Sequence, residues 1–303
     1  MKRAVTVACS AYASVGADLL RLRVSSQARI AVLDAGLRAA REIGDIAAEG
    51  SHLGNLGVAY AELGQAGKAI EFFNQRLIIA RKLGDFKGEC NALGNLAGAY
   101  SMLGKKEEMR RFCEDELALR RKHGDRRGEG LALCSLGLAH AASGEFSQAI
   151  ELYEQQINIA HETGDLHSEA IALVNMGAAC RELGQTDKAV QCLERGLLIS
   201  RQLRDVRTQG SVLTNLANVF TVRGELKRAI ELYEQSIKCK QAIGDIRGVA
   251  STSLNLGRAY LQLNDHPQSL NHAEIALQIY EQIHDPAADN AREIVARLRK
   301  FIN

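Results

Sequence analysis

Tryptophan is absent from this chain, proline occurs only at Pro267 and Pro286, and aromatic residues make up 5% of its 303 positions. So few breakers and large rings argue against a β-sandwich and favour helices rich in leucine and small residues. A dominant charge is missing as well, because 38 basic residues against 36 acidic ones leave a net charge of +2. That balance gives no basis for nucleic acid or an anionic membrane surface as the main partner. No stretch approaches the ~18 apolar residues that a membrane span requires. Cysteine is present seven times, but never as C-x-x-C. The odd count points to reduced thiols in a cytoplasmic setting rather than a disulfide framework.

What is present is a period. Gly-Asp occurs at 44–45, 84–85, 124–125, 164–165 and 244–245, and Arg204-Asp205 and His284-Asp285 fill the two remaining slots. The spacing is 40 throughout. A glycine of this kind suits the left-handed residue that ends a helix, and the aspartate suits the N-cap of the next. Each unit therefore predicts two helices. Helix A covers about residues 46–63 and is closed by Gly64, repeated as Gly104, Gly144, Gly184 and Gly224. Helix B covers about residues 67–83, with Ala69, Ile70, Phe73, Leu77 and Ala80 on one face. A pair this short cannot bury its apolar face alone, so neighbouring pairs must stack.

The columns carry a resemblance. Leu56-Gly57, Tyr60, Ala69 and Phe73 reproduce the L-G-x-x-Y…A-x-x-x-F core of the tetratricopeptide repeat. It recurs at Leu96/Tyr100, Met176/Gly177/Ala189, Leu216/Phe220/Ala229/Tyr233 and Leu256/Gly257/Tyr260. The 40-residue form is similar to the repeats of the LGN/Pins adaptor family and to sensor modules of bacterial multidomain ATPase regulators. The resemblance implies an all-α fold, a right-handed superhelix (solenoid) of antiparallel helix pairs. The expected organisation is one array over residues 1–303: a degenerate first repeat at 1–45, six full repeats at 46–85, 86–125, 126–165, 166–205, 206–245 and 246–285, and a capping helix at 286–303. The opening MKRAVTVACSAYASVGADLL has the basic start and Ala-Tyr-Ala of a leader peptide, but Thr, Ser, Tyr and Gly dilute its apolar run. Residues 4–24 are therefore expected to be the degenerate first helix.

Motifs with chemistry are weak beside this pattern. Cys180 shares a slot with Tyr60 and Tyr100, Cys192 with Phe72 and Leu152, Cys113 with Phe73 and Tyr153, and Cys90 with Gly50 and Ala170. Taken one slot at a time they fill small or apolar positions. HETGDLH at 161–167 lacks the second histidine at i+4 that would share a helix face, and GQAGKAI at 64–70 lacks the first glycine and the Ser/Thr of a phosphate loop. No metal, cofactor or catalytic activity is expected. Glu49, Glu89, Glu129 and Glu169 form one column and Arg41, Arg81 and Arg121 another, which predicts an ion-pair ladder across the turns. Met109 stands where other units carry Ala or Ser, which predicts strained or altered packing over residues 105–140.

The remaining anomaly is an asparagine column, Asn55, Asn95, Asn175, Asn215 and Asn255, inside helix A, with Ser135 as its one exception. Asparagine is a mediocre helix former. The resemblance implies that helix A lines a concave groove and that this slot faces it. By the same carry-over Gly54, Val58, Glu62, Gly98, Met102, Leu138, Arg181, Glu182, Thr214, Asn218, Leu254, Arg258 and Gln262 also face it. An amide offers an acceptor and two donors, so a row of them can bond an extended backbone. The expected peptide-binding residues are Asn55, Asn95, Asn175, Asn215, Asn255, Asn218, Arg258, Glu62, Arg181 and Glu182. The alternative use of the column is to set repeat stacking.

Chaperone-binding relatives clamp a terminal carboxylate with cations flanking the asparagine. Of the two flanking columns here only Arg258 is basic, so that clamp is not expected. The functional expectation is an adaptor that binds a peptide segment of a partner protein. The alternative is the sensor part of a larger bacterial ATPase-type regulator. A phosphatase acting on response regulators would need a helical domain outside the array, which residues 1–25 are too short to supply. A monomer is expected, with self-association left open. Thiol titration of denatured protein prepared without reductant or oxidant should report all seven cysteines free. A count of five or fewer would contradict the reduced-thiol reading.

Overall fold

The computed structural model describes residues 26–302, and every regular element among them is an α-helix. The helix expected over residues 4–24 lies outside the described residues. The described residues divide into two compact units, which part between Gly144 and Glu145. The first holds α1 (Ser26–Ile43), α2 (Ile46–Glu62), α3 (Ala66–Leu83), α4 (Phe86–Met102), α5 (Lys106–Lys122) and α6 (Arg126–Ala142). The second holds α7 (Phe146–Thr163), α8 (Leu166–Glu182), α9 (Thr186–Gln202), α10 (Val206–Val222), α11 (Leu226–Ala242), α12 (Ile246–Gln262), α13 (His266–Gln282) and α14 (Ala287–Ile302). Within each unit consecutive helices pack on one another as stacked antiparallel pairs, the all-α arrangement expected from the period.

Local chemistry sets the helix ends. Before each B-to-A turn one residue is left-handed, as at Gly44 (φ 73°) and Gly84 (φ 62°). Arg204 (φ 55°) and His284 (φ 52°) hold that conformation without glycine, at a cost that packing must cover. The aspartate that follows serves both helices. The Asp125 N–H donates to Arg120 O at 3.0 Å, closing α5, and its Oδ1 accepts from Gly128 N at 3.0 Å, opening α6. The same two bonds recur at Asp45, Asp85, Asp165, Asp205 and Asp245.

Packing follows the columns. Leu56, Ala59, Ala69, Phe73 and Ala80 are at most 2% exposed. A Cβ on Gly57 would lie 2.4 Å from Phe73 Cε1, so only glycine lets α2 and α3 approach this closely. Rings stack across the A–B pairs, Tyr60 on Phe72 at 5.3 Å, Tyr100 on Phe112 at 5.4 Å and Tyr260 on His272 at 5.5 Å. Met109 is buried on α5 at 8% exposure, where Ala69, Ala149, Ala189 and Ala229 are at 0%. In the last segment Ala291, Val295 and Leu298 of α14 join the core of α12 and α13.

The ion-pair ladder is present. Arg41 Nε meets Glu49 at 2.7 Å, and Arg81 meets Glu89 and Arg121 meets Glu129 at 2.8 Å. In the fourth turn His161 takes the arginine slot at 3.2 Å from Glu169, and Arg195 adds a contact at 2.5 Å. These half-exposed pairs contribute little singly. Burial opposes ionisation of Glu129, yet Arg121 and Arg126 hold its carboxyl below the ordinary value. Asp125 is also partly desolvated, and the Gly128 N–H and Arg120 likewise hold it low. For Asp85 the Gly88 N–H is the largest influence, joined by Arg76. Glu116 runs the other way, since burial raises it despite Arg120.

The signs fix a pH dependence. Lowered carboxyls contribute stability that is present above their unfolded values near ~4 and is lost as pH falls through the lower folded values. Raised Glu116 contributes the opposite slope, but it is one group against several. Asp125→Ala should cost about 1 kcal/mol at neutral pH through the lost cap, and the difference from wild type should shrink below about pH 4. Urea denaturation at both pH values checks this, and a difference that grows on acidification would contradict it.

Candidate functional site

The second unit carries an open cavity of about 490 Å³ on the helix-A side of the repeats. Arg181 and Glu182 reach it from the end of α8, and Asn218, Thr221 and Val222 from the last turns of α10. Asn255, Arg258 and Gln262 come from α12, each a turn from the next, and Tyr233 rises from α11 beneath them. The register explains the convergence, because positions three and four apart share a helix face. The 40-residue period then aligns those faces in successive A helices.

The polar groups are ordered by one phenol. Tyr233 is 2% exposed, and its hydroxyl donates to Asn218 Oδ1 at 2.6 Å. Thr221 Oγ1 lies 3.3 Å from the same hydroxyl and donates to Ala217 O at 2.8 Å. Burial pushes the Tyr233 phenol up, although Thr221 and the charges of Arg181 and Arg258 act in the opposite direction. The phenol therefore stays a donor at neutral pH, which turns the Asn218 oxygen inward and leaves its NH₂ as the outward end. Asn255 Nδ2 sits 3.5 Å from Asn218 Oδ1, and Arg258 Nη1 sits 3.5 Å from Asn255 Oδ1. Arg181 is ion-paired with Glu182. The wall thus offers amide donors, amide acceptors and two guanidiniums offset by one carboxylate.

Of the ten expected site residues this cavity gathers Asn218, Asn255, Arg181, Glu182 and Arg258, together with Gln262 from the wider groove-facing set. The others sit elsewhere. Asn215 is half-buried on α10 and turns its amide onto its own helix, donating to Ser211 O at 3.1 Å. Asn175 is half-buried on α8. Asn55 and Asn95 are half-buried on α2 and α4 of the first unit. The Glu62 carboxylate is taken up by Arg29 of α1, which is 5% exposed. Thr221, Val222 and Tyr233 were not among the expected residues. Tyr233 shares its slot with Phe73 and Leu193, so it reads as core, yet the hydroxyl that Phe73 lacks needs a partner when buried.

Among the described residues no group of three or more His, Cys, Asp or Glu side chains could hold a metal ion, and no helix is long and apolar enough to cross a membrane.

The tetratricopeptide repeat family model matches residues 88–162, 130–202, 168–242 and 208–282, and a second tetratricopeptide repeat model matches residues 53–77. No curated protein sequence matches the chain. Solved structures share the fold. Aspartyl phosphate phosphatase F from Bacillus subtilis aligns with a TM-score of 0.77 at 12% identity, over 92% of this chain and 72% of its own. A Rap protein in complex with competence and sporulation factor aligns at 0.68 and 14%, over 96% and 76%. A signal transduction ATPase with numerous domains from Pyrococcus horikoshii, which carries a tetratricopeptide repeat sensor, aligns at 0.67 and 16%, over 96% of this chain and 45% of its own.

Tyr233→Phe removes the bond that orients Asn218. It should destabilise the protein by about 0.5–1.5 kcal/mol, read by chemical denaturation. An unchanged midpoint would show that the phenol contributes nothing to the order of this wall.

Proposed function

The chain belongs to the tetratricopeptide repeat family, and from that premise we propose that it is a non-catalytic protein-interaction module that binds a peptide segment of a partner. The observation that carries this reading is the convergence of Asn218, Asn255, Arg181, Glu182 and Arg258 on one open cavity. An extended peptide presents an N–H and a C=O at each residue, and the exposed amide ends of Asn218 and Asn255 complement both. Arg258 and Arg181 suit carbonyl or acidic groups beside that backbone. Asn175 continues the same column on α8, and the reading extends the groove to it; within the first unit Asn55 and Asn95 hold the equivalent slots. Asn215, bonded to its own helix, would have to release Ser211 to take part.

The solved structure of a Rap protein complexed with competence and sporulation factor supports the reading, since a protein of this fold was solved with a bound factor. The alternative, a sensor segment of a larger ATPase-type regulator, is favoured by the Pyrococcus relative, of which this chain spans under half. In both readings the binding surface is the same and acts in the cytoplasm.

The test begins with peptides selected from a random displayed library on the wild-type protein. Replacing Asn218, Asn255 and Arg258 together with Ala should weaken them about tenfold to a thousandfold, from roughly 0.5–1.5 kcal/mol per lost bond. Asn175→Ala/Asn215→Ala/Asn255→Ala should act in the same direction. Melting temperature should hold or rise in the Asn175/Asn215/Asn255 variant, because alanine is the better helix former, and should fall in the Asn218 variant, which takes away the partner of the buried Tyr233 hydroxyl. If the asparagines instead set repeat stacking, melting falls and binding declines only as the protein unfolds. Unchanged affinity in a folded triple variant would remove the groove from the function.

A further inference from the structure

One repeat carries sulfur in three slots where the other five carry none. Met176 replaces a leucine found at that slot in every other repeat. Cys180 replaces the ring of Tyr60, Tyr100 and Tyr260, and Cys192 replaces Phe72, Phe112 and His272. Elsewhere those last two slots face each other, as the stacked rings 5.3–5.5 Å apart show. Cys180 and Cys192 therefore occupy the two halves of a stacking site. Met176 lies one turn before Cys180 on the same face of α8. All three are buried, at 7%, 0% and 6% exposure.

Two thiols fill less space than two rings, and a cavity of about 340 Å³ opens where α7, α8 and α9 meet, lined in part by Met176 and Cys192. Its mouth is basic. Lys188, paired to Glu154 at 3.0 Å, favours ionisation of both thiols while Glu154 opposes it, and Arg195 favours that of Cys192. Burial still outweighs these cations and pushes Cys192 up to about 11. The free thiols are therefore protonated at neutral pH.

We propose that Met176, Cys180 and Cys192 form a binding site for a soft, thiophilic cation of the Cu(I) class. Thioether and thiolate ligands select such ions over harder metals. A tetrahedral zinc site would need a fourth donor. Binding releases one proton from each cysteine to solvent and leaves two thiolates around a single positive charge. Slot by slot these residues are filler; together they are a ligand set beneath an opening. A second sulfur group in the first unit makes a useful contrast. Cys113 and Cys134 also influence each other there, with Met109 a turn from Cys113, but the neighbouring charges are the carboxylates of Glu114 and Glu116, and burial pushes Cys113 up to about 12.

The experiment is an anaerobic Cu(I) titration of the full chain against bicinchoninate as competing chelator, followed by ultraviolet thiolate-to-copper absorption. Wild type should take one equivalent tightly. Cys180→Ala/Cys192→Ala should lose at least about 100-fold in affinity and the volume-conserving Met176→Leu about tenfold, while Cys113→Ala/Cys134→Ala should retain the equivalent. Circular dichroism confirms that each variant is folded. Should the double variant fail to fold, Cys192→Ser and Met176→Leu decide, and wild-type affinity in both overturns the proposal. Equal affinity in wild type and a folded Cys180→Ala/Cys192→Ala, or loss of the equivalent in Cys113→Ala/Cys134→Ala, would overturn it as well.

Discussion

One aspartate at each B-to-A turn carries the order of the repeats. Its backbone N–H closes the helix behind it and its carboxylate opens the helix ahead, so both ends are pinned to a single residue. The left-handed residue before it sets the direction in which the chain turns. Because both bonds are local, the turn forms the same way each time the sequence presents it, and the 40-residue spacing survives without drift. Constant register lets Gly57 meet Phe73 and lets rings stack between the same two slots in separate pairs. The Arg–Glu ladder then decorates the turns without being required by them.

A scaffold of equivalent slots turns function into a matter of exceptions. Where a slot holds Phe73 the chain packs; where it holds Tyr233 a hydroxyl must be satisfied, and the partner it selects, Asn218, is an amide on the cavity wall. The groove chemistry is thereby anchored in the core, which fixes which end of that amide faces outward. The sulfur-bearing repeat shows the same logic. Two thiols stand where other repeats hold two rings, and an opening lined in part by Met176 and Cys192 lies beside them.

Not every slot of a column behaves alike. Asn215 and Asn255 are equivalent in sequence, yet Asn215 bonds Ser211 O behind it and Asn255 turns toward Asn218. The difference lies in what stands nearby, since an acceptor on the helix itself competes with a neighbour across the groove. Glu62 and Glu182 are equivalent in the same way. Arg29 of α1 takes the first, and Arg181 beside it takes the second. A periodic pattern specifies the direction in which a side chain leaves its helix but not the partner it meets.

The sequence alone determined the helices, their ends, the ladder and the family, because caps, turns and apolar periodicity depend on residues close together along the chain. Arg41 and Glu49 are eight residues apart, and their pairing could be read from spacing. It also indicated which positions of helix A face one side, including Asn218, Asn255 and Arg258. Only the tertiary structure decided which of these meet. The cavity joins residues from Arg181 to Gln262 through contacts among four helices, and no local rule brings Tyr233 beneath Asn218 or sets Cys180 opposite Cys192. Such meetings depend on how closely whole helices approach, which is the summed result of every side chain packed between them.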